Sequence, residues 1–314
     1  MNRVHALVLA LSFTTLVGAC DKKPKAKEAP PKATVTMPAD NTPPVVAPPG
    51  TTTTPPTTPP TTPPTGDGIK IPMAERKVGT RWIKTDDLTS HMVLTAPGDK
   101  KVAIEGKRHY RDELEVVELG PDGVLTKVKA SYPEREDGEI VAGKAKAKPI
   151  AIAGKSYIVW SKDGKVEATL ADGGAVSPAE LAELTDDLDE LGKPRVMDRL
   201  MSARTWKIGE PYALTADELA QLAAIKSAKS PRQVGITLTL TSVDAGKAVF
   251  AMQTTMKVEG KAELEVAMTG KVTIDIATGR PLAVELSGPV KGSAGGMPLE
   301  GTMTGANTYA YPAS

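Results

Sequence analysis

The sequence predicts a mainly β fold, an antiparallel meander that forms a curved sheet, half-barrel or barrel and carries two short helices. Three observations lead there. Apolar and polar residues alternate with period two along several segments; Pro-Asp-Gly and Asp-Gly turns separate such segments; and only two stretches combine helical spacing with capping signals.

The chain opens differently. Met1-Asn2-Arg3, an apolar run from Ala6 to Val17, and the small residues Gly18 and Ala19 before Cys20 have the three-part layout of a secretory signal peptide over residues 1–19. A run of about a dozen residues is too short to span a bilayer as a helix, which takes roughly 20. Cys20 is the only cysteine. Val17-Gly18-Ala19-Cys20 resembles the lipobox of bacterial lipoproteins. The resemblance implies cleavage before Cys20, acylation of its sulfur by a diacylglyceryl group, and a lipid-anchored place in the cell envelope. Two or three acyl chains, palmitate among them, at about 0.8 kcal/mol per buried CH₂, hold such an anchor firmly. Asp21 matches a retention signal at the inner membrane of enteric lipoproteins, a rule that does not transfer between bacterial groups, so the membrane and its leaflet stay open.

Residues 20–67 form a tether. Lys22, Lys23, Lys25 and Lys27 come after the anchor, and "TTPPTTPPTTPP" fills 53–64. Such a stretch has little apolar surface to offset its ordering entropy, so disorder is expected. Extended as polyproline II it reaches on the order of 100 Å. The formal net charge of +1, without a basic patch in the rest of the chain, gives nucleic-acid binding no electrostatic support.

Residues 68–314 read as the globular, β-rich region. Leu114 and Val116 lead into "GPDG" at 120–123, after which Val124, Val128, Ala130 and Tyr132 alternate with Lys127 and Lys129. "SKDGK" at 161–165 joins Tyr157 and Val159 to Val166, Ala168 and Leu170 through hairpin chemistry, because glycine accepts the positive φ such turns need. A helix is expected over 177–192, with Ser177 and Glu180 as a capping box, Pro178 at its first position, and a stripe of Leu181, Leu184, Leu188 and Leu191. Thr215 and Glu218 cap a second, through about Ile225.

Beyond it the alternation is cleanest. Ile236, Leu238 and Leu240 share one face, then Phe250, Met252, Met256 and Val258, then Leu264, Val266, Met268, Val272, Ile274 and Ile276 with Gly270 marking a bend or bulge, then Leu282, Val284 and Leu286 after the 277–280 turn. "VGTRW" at 78–82 and "IGEPY" at 208–212 share the order aliphatic, Gly, polar, any, aromatic, which admits two similar β-halves, 68–175 and 205–314, joined by the 177–192 helix.

Reactive constellations are not apparent. His5, His91 and His109 have no second ligand at metal spacing. Asp187, Asp189, Gly192 and Asp198 echo a calcium loop, but Leu191 cannot ligate, and Pro194 and Arg195 spoil the rest of the loop. "GSAGG" at 292–296 is not continued by Lys-Ser/Thr, so it reads as a hairpin connection, not a phosphate loop. No catalytic, metal or cofactor site is assigned. Met252, Met256, Met268 and Met303 join the dry face, and their pliable thioethers suit a greasy ligand.

Through "VGTRW", "IGEPY" and "IDIATGRPLAVEL" the region resembles uncharacterised envelope lipoproteins and the half-barrel lipoprotein carriers. That resemblance implies a non-catalytic role. The expectation is a lipid-anchored protein whose β-domain binds or scaffolds, its partners being a membrane and either a hydrophobic ligand or an envelope protein; a lipid carrier or sensor is the alternative, an envelope hydrolase a third. Cys20→Ser should release the chain from membranes and abolish labelling by radioactive palmitate; persistent labelling would remove the lipobox reading.

Overall fold

In a computed structural model the described residues are 68–224, 232–258 and 262–312. Cys20, the signal segment, the tether up to 67 and Ile225 lie outside them. The described elements are β1 (Ile69–Lys70), β2 (Arg81–Ala96), β3 (Lys100–Leu119), β4 (Leu125–Val141), β5 (Lys144–Ala147), β6 (Ser156–Lys162) and β7 (Lys165–Leu170). Next come α1 (Pro178–Asp187), α2 (Val196–Ser202), β8 (Thr205–Trp206), β9 (Pro211–Ala213) and α3 (Ala216–Ala224). Five long strands finish the domain: β10 (Arg232–Asp244), β11 (Lys247–Val258), β12 (Ala262–Asp275), β13 (Pro281–Ala294) and β14 (Met297–Ala310).

The expected meander is present as one antiparallel sheet in the order β7-β6-β4-β3-β2-β14-β13-β12-β11-β10-β9, with β5 paired to β4. Neighbours in space are neighbours in sequence except that β6 pairs with β4 past the short β5, and at one seam, where β2 pairs with β14 from Leu94↔Leu299 to Ile83↔Ala310. The sheet is therefore an up-and-down meander whose first long strand meets its last. It does not close: its two edges are β7 and β9, and the helices α1 and α2 fall between them in the chain.

Local chemistry explains most boundaries. Asp163 and Gly164 take φ of 51° and 75° in the β6–β7 hairpin, and Gly295 and Gly296 take 58° and 77° between β13 and β14, so the hairpin connection expected at "GSAGG" is its last two residues, the first three belonging to β13. At "GPDG" a 3-10 turn spans Pro121–Gly123; Val124 is left as its cap and Leu125 takes the buried place, a one-residue difference from the expected alternation caused by register shifts at Glu118. The α1 capping box is formed as expected, but the helix ends at Asp187; Leu188 and Leu191 stay buried in the turns beyond it. The Thr215–Glu218 box caps α3 by the same pair of hydrogen bonds. The third helix, α2, was not expected: seven residues behind Pro194, with no side-chain cap at Arg195, carry too little periodic signal.

Two turns have the same construction. Gly79 has φ of 85° and donates its N–H to the Val116 carbonyl at 2.8 Å; Gly209 has φ of 80° and donates to Leu240, also at 2.8 Å. Three residues on, Trp82 pairs with Leu114 and Tyr212 with Leu238, each two residues before the accepting carbonyl. The resemblance between "VGTRW" and "IGEPY" is thus one of backbone geometry.

Curvature comes from glycine. On the inner face of β12, β13 and β14, a Cβ at Gly270 would lie 1.9 Å from the Glu285 carbonyl oxygen, at Gly288 1.9 Å from that of Ala267, and at Gly301 2.1 Å from that of His91. Neighbouring backbones approach too closely there for any side chain, which is how glycine lets a wide sheet curl. Gly270 causes no register shift, so it permits close approach and is not a bulge.

Gly288→Val should lower stability by about 2 kcal/mol or more through overpacking against rigid backbone. A chemical denaturation midpoint matching the parent chain would contradict this.

Candidate functional site

Alternation puts one side of every long strand inward, and that inner face divides into three zones. Over β10–β14 it is apolar: Ile236, Leu238, Leu240, Phe250, Met252, Met256, Leu264, Val266, Met268, Val284, Leu286, Val290 and Met303 are all buried in one cluster. All four methionines proposed from the sequence lie there, and Met92, Met197 and Met201 join them. Seven of the chain's 11 methionines thus gather in a single cluster. Aromatics on it are few, with Trp206 stacked edge-on to Phe250 at 4.9 Å.

At the opposite end a second apolar cluster lies beneath α1. Trp82, Leu114, Val116, Val128, Tyr132, Tyr157 and Val159 from the sheet meet Leu184, Leu188 and Leu191. Glu180, from the α1 cap, accepts from Tyr157 Oη and from Lys155 Nζ at 2.8 Å each.

Between the two lies a belt of charge that crosses β2, β3 and β4. Lys84 and Arg108 both donate to Asp86, at 2.9 and 3.1 Å. Arg135 grips Asp112 through Nε and Nη2, at 3.0 and 2.7 Å, and reaches Asp187 at the end of α1 at 2.8 Å. The Tyr110 ring lies between Arg108 and Arg135, 5.0 and 4.4 Å from their guanidinium carbons. Its hydroxyl donates to Asp137. A further cluster ties α2 to the start of the domain: Arg195 donates to Asp198 and to the Ala74 carbonyl, and Arg76 lies 3.6 Å from Asp198.

Burial disfavours the charge on Asp86 and Asp198, but the cations win. Lys84 and Arg108 hold the Asp86 carboxyl below the usual range, and Arg76 and Arg195 do the same for Asp198. Hydrogen bonds from Lys155 and Ser177 depress Glu180 likewise. The belt was invisible to periodicity, because Lys84, Asp86, Arg108 and Asp112 occupy inward positions where alternation leads one to expect apolar side chains.

Other residues singled out in the sequence are dispersed. Asp187 and Asp198, parts of the calcium-like spacing, are bound to different arginines on opposite sides of the turn that separates α1 from α2. His91 is exposed on β2; His109 lies beside Asp87 at 2.7 Å, and that hydrogen bond raises its pKa. Among the described residues no group of three or more His, Cys, Asp or Glu side chains is placed to hold a metal, and no helix is long and apolar enough to cross a membrane.

No family model matches the chain, and no curated protein does. Among solved structures it is similar to one described as lipid–protein interactions in lipovitellin, with a TM-score of 0.38 and 7% identity. The match covers 76% of this chain but only 26% of that one. A likeness of that degree carries no functional argument.

Because Asp86, Asp198 and Glu180 have folded pKa values below their unfolded ones, their contribution is complete above about pH 4 and is lost as pH falls through the folded values. Urea midpoints should therefore decline below about pH 4, while the raised pKa of the partly exposed His109 adds at most a small gain as pH falls from 7 to about 5. Asp86→Asn, which strands Lys84, should cost about 3 kcal/mol at pH 7 and make the acid decline shallower; an unchanged acid slope would show that Asp86 does not supply it.

Proposed function

We propose that this is a lipid-anchored envelope protein whose β-domain binds a hydrophobic, lipid-like ligand on its concave face, without catalysis. The observation that carries the reading is the size and softness of that face. Five strands of 12 to 14 residues, at about 3.3 Å per residue and about 4.8 Å between strands, present an area of about 1,000 Å². The described helices that pack on it, α2 and α3, have 7 and 9 residues and project to about 250 Å² together, at about 1.5 Å per residue and about 10 Å across. The two-stranded β1–β8 sheet packs there as well, with Trp206 against Phe250.

A methionine-rich lining suits such a role. Unbranched thioether side chains repack around chains of different shape at low cost, whereas β-branched or aromatic linings fix one shape. The sheet has two free edges, β7 and β9, where a closed barrel would have none. The anchoring half of the reading rests on the lipobox and the tether alone.

Full-length chain prepared with Cys20→Ser and mixed with a fluorescent fatty-acid analogue should bind about one equivalent saturably. Met268→Arg, which places a charge in the middle of the apolar zone, should weaken that binding at least about tenfold. Absence of saturable binding by the parent chain, with no lipid detected after gentle extraction from membranes, would overturn the proposal in favour of a scaffolding role.

A further inference from the structure

The binding reading leaves open what tells one lipid-like molecule from another, and the boundary between the methionine zone and the charged belt bears on that. Asn307 stands on this boundary. It lies on the inner face of β14, in register with Asp86 on β2 and Val284 on β13, and its side chain is wholly withdrawn from solvent. Among the described residues neither its Oδ1 nor its Nδ2 has a hydrogen-bond partner. Asp86, the nearest polar neighbour across the seam, is already taken by Lys84 and Arg108. One further donor is unmatched nearby, the Nε–H of Arg108, whose Nη2 holds Asp86.

Asp86 accepts from both Lys84 and Arg108, and the polar atoms left without a partner beside it belong to an amide with one donor side and one acceptor side and to a single guanidinium N–H. An incoming hydroxyl or ester would find complementary partners, because an ester carbonyl accepts from Nδ2 or Nε and a hydroxyl donates to Oδ1. A buried amide without partners is costly, so it is kept only where something compensates.

Geometry links this amide to the apolar zone. Gly305 comes after Met303 on the same face of β14 and Asn307 after Gly305, so the strand leads from a thioether across a gap without side chain to the amide. Four residues of strand span about 13 Å. A molecule with its chain along Met268 and Met303 would bring its head to Asn307.

Building on the proposed binding function, we propose that Asn307, with the Arg108 Nε–H, recognises the uncharged hydroxyl and ester head of an acylglycerol whose chain lies on the methionine zone. The amide reads the head; the methionines hold the tail.

Competition against a fluorescent probe separates the two claims. Full-length chain carrying Cys20→Ser is loaded with the fatty-acid analogue and titrated with monolauroylglycerol or with dodecane. The parent chain should favour monolauroylglycerol about tenfold or more. Asn307→Leu should erase that preference, leave dodecane within about twofold, and leave the melting temperature unchanged or raised, since it removes an unpaired buried amide. If dodecane competes but monolauroylglycerol is no better in the parent chain, or if its advantage survives Asn307→Leu, head recognition by Asn307 is wrong while hydrophobic binding stands. If neither competes, the binding function itself fails. Should Asn307→Leu not fold, Asn307→Ala and the parent-chain comparison decide in the same way.

Discussion

The pairing of β2 with β14 is the contact on which the architecture depends. Every other strand pair in the main sheet joins segments close in the chain, formed at modest loop-closure cost. The seam alone joins residues more than two hundred positions apart, Ile83 with Ala310 among them. Without it the chain would hold two separate meanders, one ending at β2 and the other at β14. With it, Met92, Leu94 and Ile104 from the N-terminal strands enter the same cluster as Met303 and Val290, and Asn307 faces Asp86.

How much of this was written in the local sequence differs by element. The alternation of Leu264, Val266, Met268, Val272 and Ile274 stated both the strand and its buried face, because side chains on a strand sort by parity and one face of this sheet is dry. Ser177 with Glu180 and Thr215 with Glu218 announced two helix starts, because a cap is a contact between residues three apart. The seam was not legible, since nothing near Ile83 names Ala310. Nor was the belt: Lys84 and Asp112 look like solvent-facing residues until Asp86, Arg135 and Asp187 are brought to them by pairing across strands and by the end of α1. The four methionines named from parity did converge, because parity is what places them.

The belt has a structural meaning apart from any ligand. Buried ion pairs such as Lys84–Asp86 and Arg135–Asp112 add little net stability, since desolvation consumes most of the attraction, yet breaking one is expensive. They therefore act chiefly by forbidding alternatives. A one-residue slip of β3 against β2 would turn Arg108 and Asp112 away from Asp86 and Arg135 and would carry Leu114 out of the apolar cluster with Trp82. Long strands of 16 and 20 residues need such a lock, because over that length neighbouring registers differ little in backbone hydrogen bonding.

The seam also has a mechanical side. β2 runs between β3 and β14, bonded along nearly its whole length to each, and the described chain arrives at its first residue from Gly68 through a short β1–β8 pair. A pull applied from that side acts along the strand axis. It loads the hydrogen bonds of both ladders in shear, all at once, instead of peeling them singly as a pull on an edge hairpin would. The strand that unites the two halves is thus also the one best placed to resist extension, with the weaker β1–β8 pair as the part that yields first.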